Sequence, residues 1–172
     1  MKRILAILLA SMLAAGVGAA TLESDLNSGG VISYLHNNLT AKQLSTMLAS
    51  YEDSTAVNTL LYSECGKTLF LNAASEFATT LPAPIAGCGF TFIVKAAPVG
   101  TAYTIVTPGG GNLIDGTTVV NGGVIGCVDE DTVTFTASAA ISGDWVSLVS
   151  DGTSWFVTGQ AFAATGIACT AT

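Results

Sequence analysis

The acidic residues offer the first chemistry to test. A pair of carboxylates can hydrolyse a glycosidic bond as acid and nucleophile, or as acid and base, and Asp144 and Asp151 bracket the short segment WVSLVS. An extended strand of that length holds them roughly 20 Å apart, well beyond the separation such chemistry uses. The run Asp129-Glu130-Asp131 could offer oxygens to calcium, but neighbours along an extended chain point to opposite sides, so the run reads as the solvated start of a strand. His36 is the only histidine. It stands beside Asn37 and Asn38 with no partner for a triad or a metal nearby and reads as a surface polar residue. Cys65 has no base placed to activate its thiol. The glycine-rich TPGGGNLIDG (residues 107–116) lacks the Lys-Ser/Thr pair that grips phosphate and magnesium, and no helical pattern follows it. No convergent titratable set emerges, so a non-enzyme is expected, with no catalytic, cofactor or metal residues assigned.

The aromatic residues suggest contact instead. In GDWVSLVSDGTSWFVTGQ (residues 143–160), Asp151-Gly152 suits a two-residue hairpin turn with positive φ at both positions. The expected register sets Ser150 opposite Thr153, Leu148 opposite Trp155 and Val146 opposite Val157. Trp155 then belongs to the core. Trp145, Ser147, Phe156 and Thr158 share the other face, and Trp145 and Phe156 are the contact-surface candidates.

These strands need a domain to hold them. The chain has 172 residues, 50% of them hydrophobic and only 10% charged, with 19 glycines. That suits one β-rich domain of ordinary size plus an accessory segment. The net charge of −7 comes from twelve acids against five bases. Such a chain has no basic patch for nucleic acid or anionic lipid, while protein and glycan partners stay open. The N-terminus MKRILAILLASMLAAGVGAA pairs a basic start with an apolar run and a small-residue end, the grammar of a secretory signal peptide, with a retained hydrophobic anchor as the alternative. Membrane contact is therefore expected only through residues 1–20.

Four cysteines, Cys65, Cys88, Cys127 and Cys169, are an even number in a chain with a signal-like N-terminus, and two disulfides are expected, against an alternative of four buried thiols. Their wide spacing is unlike a zinc site. Because domain ends often lie close together, the expected pairing is Cys65 with Cys169 and Cys88 with Cys127.

Residues 21–58 read as a helical preface. In NLTAKQLSTMLASYED, Thr40 and Gln43 form a capping box, and Leu44, Met47, Leu48 and Tyr51 follow a helical stripe. Asn38-Leu39-Thr40 is a glycosylation sequon, meaningful in a eukaryotic secretory host. From about residue 59 the period becomes two, in KTLFLNA, EFATTLP, GFTFIVKA, AYTIVTP, DTVTFTAS and the hairpin. LPAPIAGCG, TPGGGNLIDG and NGGVIG read as turns or loops. About eight short strands indicate a mainly β fold: an antiparallel β-sandwich or jelly-roll-like domain over residues 59–172.

The words GKTLFL, TLPAP, GFTFIVKAAP, YTIVT and SDGTSWFVTGQ, spread over roughly residues 60–170, resemble a β-rich domain of virion structural proteins of tailed bacteriophages, of the capsid decoration (cement) type. The resemblance implies a non-enzymatic virion surface component that associates with itself, with a trimer as the expected state, and with a major capsid protein or another virion protein. In that setting residues 1–20 would serve as a hydrophobic docking peg. If the domain is instead recruited to a secreted protein, the chain becomes an exported bacterial surface or carbohydrate-binding module, secreted or periplasmic, with the Trp145 strand as its platform.

Overall fold

A computed structural model describes residues 51–73 and 77–171, which belong to the compact unit Ser50–Thr172. The signal-like segment, His36, the sequon and the helical stripe before Tyr51 lie outside the described residues, whereas Tyr51, expected as the last residue of that stripe, begins a strand, so the helical preface does not reach residue 58. The strands are β1 (Tyr51–Ser54), β2 (Asn58–Thr59), β3 (Thr68–Leu71), β4 (Ala78–Thr80), β5 (Gly89–Val94), β6 (Tyr103–Val106), β7 (Ile114–Val120), β8 (Gly123–Glu130), β9 (Thr132–Phe135), β10 (Trp145–Ser150), β11 (Trp155–Ala161) and β12 (Ile167–Thr170). They form a seven-stranded sheet ordered β1-β3-β5-β10-β11-β7-β8 and a five-stranded sheet ordered β12-β9-β6-β4-β2.

The mainly β expectation holds, and the two sheets share one apolar core in a manner consistent with a β-sandwich. Both sheets are mixed, however, rather than antiparallel. From β1 to β6 the chain alternates sheets at every strand, and strands two apart in sequence lie side by side and run the same way. β1, β3 and β5 are mutually parallel in one sheet, and β2, β4 and β6 in the other. The sequence concealed this because period-two alternation reports only that one face of a strand is buried. It arises in any sheet with one solvent face, whichever way its neighbours run.

Leu69, Leu71, Phe90, Phe92, Val146, Leu148, Trp155 and Val157 turn inward from the seven-stranded sheet and meet Tyr103, Ile105, Val133, Phe135 and Ile167 from the other. The Tyr103 hydroxyl is buried with its ring and reaches the Ala96 and Ala73 carbonyls at 3.1 and 3.2 Å, while the Ala73 N–H donates to it. The segments that follow β3 and β5 are thereby tied to one side chain. Residues 107–113 and 121–122 are loop and turn, as read, but the ends of those two segments, residues 114–116 and 123–126, enter the strands β7 and β8. Gly116 stands at a bulge of β7, where a Cβ would collide with the Val157 backbone.

Cys65 bonds to Cys88 and Cys127 to Cys169. Two bridges form, as expected, but the expected partners do not. Cys65 and Cys88 each stand three residues before Thr68 and Thr91, which are paired on the parallel neighbours β3 and β5. Cys169 lies on β12, whose nearest counterpart in the other sheet is β8 with Cys127. Strand neighbours, not domain ends, chose the pairs.

Candidate contact surface

The outer face of the seven-stranded sheet carries the contact candidates. Strand register aligns Phe70 of β3, Ile93 of β5 and Trp145 of β10 in one row. All three are half-buried, and beyond them the row continues through Gln160, Val119 and Val124. Tyr51, on β1, sets its ring edge-on to Phe70 at 6.2 Å and is 69% exposed, so it lengthens the apolar strip at the sheet's edge. The next row is hydroxylic: Thr68, Thr91, Ser147, Thr158 and Thr117 lie side by side, with Thr91 bonding Ser147 at 3.3 Å. Neighbouring strands put these side chains about 5 Å apart. Trp145 was foreseen as an outward residue. Phe70 and Ile93 were not, because their place in the row depends on the antiparallel pairing of β5 with β10 and the parallel pairing of β3 with β5.

The hairpin's faces agree with expectation, while its register differs by two residues. Ser150 opposes Trp155, Leu148 opposes Val157 and Val146 opposes Gly159. A shift of two preserves which side each residue faces. Its cause is the loop. Asp151 does not adopt positive φ, as Gly152 does at 106°; instead its carboxylate accepts the N–H groups of Thr153 and Ser154 at 2.8 and 2.9 Å and the Thr153 hydroxyl at 2.8 Å. An Asx turn lengthens the connection to four residues. The three donors hold the Asp151 carboxyl below its ordinary value, led by the Ser154 N–H. Trp155 is fully buried, with its ring 5.9 Å from Phe90. Phe156 is 47% exposed and pairs with Val149. It sits four residues along β11 from the Trp145 partner Gln160, so roughly 14 Å of strand separates the two candidates and they form no single platform.

A hollow of about 340 Å³ adjoins the hydroxyl row, lined in part by Lys67, Gly89, Thr91 and Ser147. Lys67 bonds Glu52 at 2.7 Å and Glu64 at 2.6 Å. Its pKa is raised, first by the Glu52 hydrogen bond and then by that from Glu64. Burial works against the charge on Glu64, but the hydrogen bonds from Lys67 and the Leu61 N–H, with the Lys67 charge, leave its pKa lowered. Lys95 pairs with Asp53 at 2.6 Å. Both basic residues among the described residues are thus neutralised at the β1 side of the apolar strip.

The other sequence candidates are dispersed. Asp144 is buried, and its carboxylate accepts the N–H groups of Ile141 and Phe162, both at 2.9 Å, so it works as a structural clasp. Asp151 is in the exposed turn at the far end of β10. Of the run Asp129-Glu130-Asp131, expected to be solvated, Asp129 is exposed but Asp131 is buried and accepts the Thr132 hydroxyl at 2.6 Å. Asp129 has a positive φ of 54°, and its N–H donates to the Asp115 carboxylate at 3.2 Å. Among the described residues no three His, Cys, Asp or Glu side chains gather as a metal site. The glycine-rich loop leads into strand β7. Comparison with protein-family models, with curated proteins and with solved structures finds no match.

Proposed function

We propose that this chain is a non-enzymatic structural protein that works by contact, a decoration-type component of a virion surface that binds itself and a major capsid protein or another virion protein. The observation that carries the reading is the strip Tyr51, Phe70, Ile93 and Trp145 on an outward sheet face, bordered by hydroxyls and by paired charges. An apolar aromatic centre with a polar rim is the anatomy of a protein interface. The virion setting, the jelly-roll-like description of the domain and a docking role for residues 1–20 come from the sequence resemblance. Purified particles test the reading: mass spectrometry should find the chain in stoichiometric amounts, and Trp145→Ala should lower its occupancy. Particles lacking the chain would overturn it.

A second reading, an exported surface or carbohydrate-binding module, draws on two observations. Disulfides persist in oxidising compartments. The hollow also places Thr91, Ser147 and Lys67 on the same face as Trp145, a combination that can bind a sugar by hydroxyl hydrogen bonds beside a ring. Quenching of Trp145 fluorescence by oligosaccharides, lost in Ser147→Ala, would favour it.

A further inference from the structure

Four strands end the two sheets, and three of them are guarded. β1 carries Glu52 and Asp53, both in ion pairs. β2 has two residues. β12 has four. Short or charged edges discourage pairing with another chain. β8 differs. It has eight residues, GVIGCVDE, and its first six carry neither charge nor proline. Val124 and Val128 are each 69% exposed, and among the described residues no backbone hydrogen bond leads from residues 123–128 to any segment except β7.

We propose that β8 is a self-association seam, paired antiparallel with β8 of a second copy about a two-fold axis through Gly126. The strand's own pattern selects this occupant and this register. Val124, Ile125, Gly126, Cys127 and Val128 are symmetric in character about the glycine. Antiparallel pairing there sets Val124 of one copy against Val128 of the other on the exposed face, twice over. It also sets Asp129 against Gly123 and Glu130 against Gly122, so the acids of an acidic chain meet no acid across the seam. A parallel arrangement would stack Asp129 and Glu130 on themselves, and like charges directly opposite destabilise a sheet. The two seven-stranded sheets would then run on as one, with the same patch used on both copies, as a two-fold interface requires. The inference rests on the self-association in the reading above and deepens it; a two-fold seam makes a dimer rather than the trimer the resemblance implies.

Sedimentation velocity of the full chain, with its disulfides intact, should show a concentration-dependent dimer. Val128→Lys should raise its dissociation constant by about tenfold or more, since edge lysines oppose pairing. Cysteine scanning fixes the register. A Cβ added at Gly126 meets nothing within 4 Å, so Gly126→Cys fits the monomer and should form a disulfide-linked dimer across the axis. Val124→Cys alone should not, because the two copies of that position lie four residues apart along the strands, roughly 14 Å. A chain that stays monomeric at every concentration overturns both the seam and self-association, while leaving particle attachment to its own test. An oligomer indifferent to Val128→Lys, or cross-linked as readily through Val124→Cys, overturns the seam alone.

Discussion

Trp155 and Trp145 differ by which side of one hairpin they occupy, and that difference sets what each can do. Trp155 is wholly enclosed, and among the described residues its indole N–H meets no acceptor. Trp155→Ala should cost about 3 to 5 kcal/mol in denaturant unfolding, as loss of a large buried aromatic does. Trp155→Phe should cost markedly less than Trp155→Ala, because a ring remains against Phe90 and no unpaired donor is left desolvated. Equal losses from the two would show that the indole N–H has a partner. Trp145, half-buried on the outer face, should cost about 1 kcal/mol or less as alanine, within the range of surface changes that keep the fold, while attachment weakens. Asp144 makes the converse point about polar residues. Its buried carboxylate holds the N–H groups of Ile141 and Phe162, fastening the approach to β10 to the end of β11. Asp144→Ala strands both donors and should destabilise by about 2 to 3 kcal/mol. Asp144→Asn, which keeps an accepting oxygen, should lose less in the same measurement.

Among the elements, what was legible is what a single strand reports about itself. Alternation marked β3, β4, β5, β6, β9, β10 and β11 and told which of their residues face inward. Pairing is a property of two strands: the turn announced that of β10 with β11, though not its register, and a short repeat marks that of β3 with β5. CGKTLFL and CGFTFIV share Cys-Gly-x-Thr followed by three apolar residues, and these are the segments that run parallel in β3 and β5 with Cys65 and Cys88 bridged at the same offset. That echo was the available sign of both the parallel order and the disulfide. The ends of β7 and β8 escaped because glycine reads as a breaker; in β7 Gly116 admits the Val157 backbone, and β11 shows the same use of glycine. A Cβ on Gly159 would stand 2.5 Å from the Trp145 carbonyl oxygen and 2.9 Å from the Val146 Cα. Gly159→Ala should therefore cost more than about 2 kcal/mol through strain between β10 and β11, with a lower midpoint and an unchanged slope in urea. The contact strip was half legible for the same reason: Trp145 announced itself, while Phe70 and Ile93 joined it only through the pairing. The ion-pair cluster near β3 adds a pH dependence. The folded-state pKa of Lys67 is raised above 10.5, so its contribution is complete below 10.5 and disappears as pH rises through the folded value. The folded-state pKa of Glu64 is lowered below 4.5, so its contribution is complete above 4.5 and disappears as pH falls through the folded value. Lys67→Met should remove both arms, flattening the thermal midpoint against pH at the two extremes relative to the parent chain.

At the scale of the whole molecule, the two bridges divide the work of holding the sheets. The Cys65 to Cys88 bond spans 23 residues and ties neighbours within the seven-stranded sheet. The Cys127 to Cys169 bond spans 42 residues and fastens the edge strand β8 to β12, an edge of the other sheet. On the chain-entropy model loops of these lengths contribute about 3 and about 4 kcal/mol, the longer slightly more. Thiol titration of the unfolded, unreduced chain should accordingly find no free cysteine. Paired alanine substitutions should lower stability by similar amounts at either bridge, but they should not affect association alike. Losing Cys65 and Cys88 leaves β8 fastened, so the dimer constant at the seam should hold once the protein is kept well below its melting temperature. Losing Cys127 and Cys169 releases the strand that bears the seam and lets it fray from the sandwich, and ordering that strand again on pairing adds an entropic cost to association. The Cys127→Ala, Cys169→Ala chain should therefore dimerise more weakly than the Cys65→Ala, Cys88→Ala chain at matched stability. Sedimentation of the two variants side by side decides it, and equal dissociation constants would mean that β8 keeps its shape without the bridge.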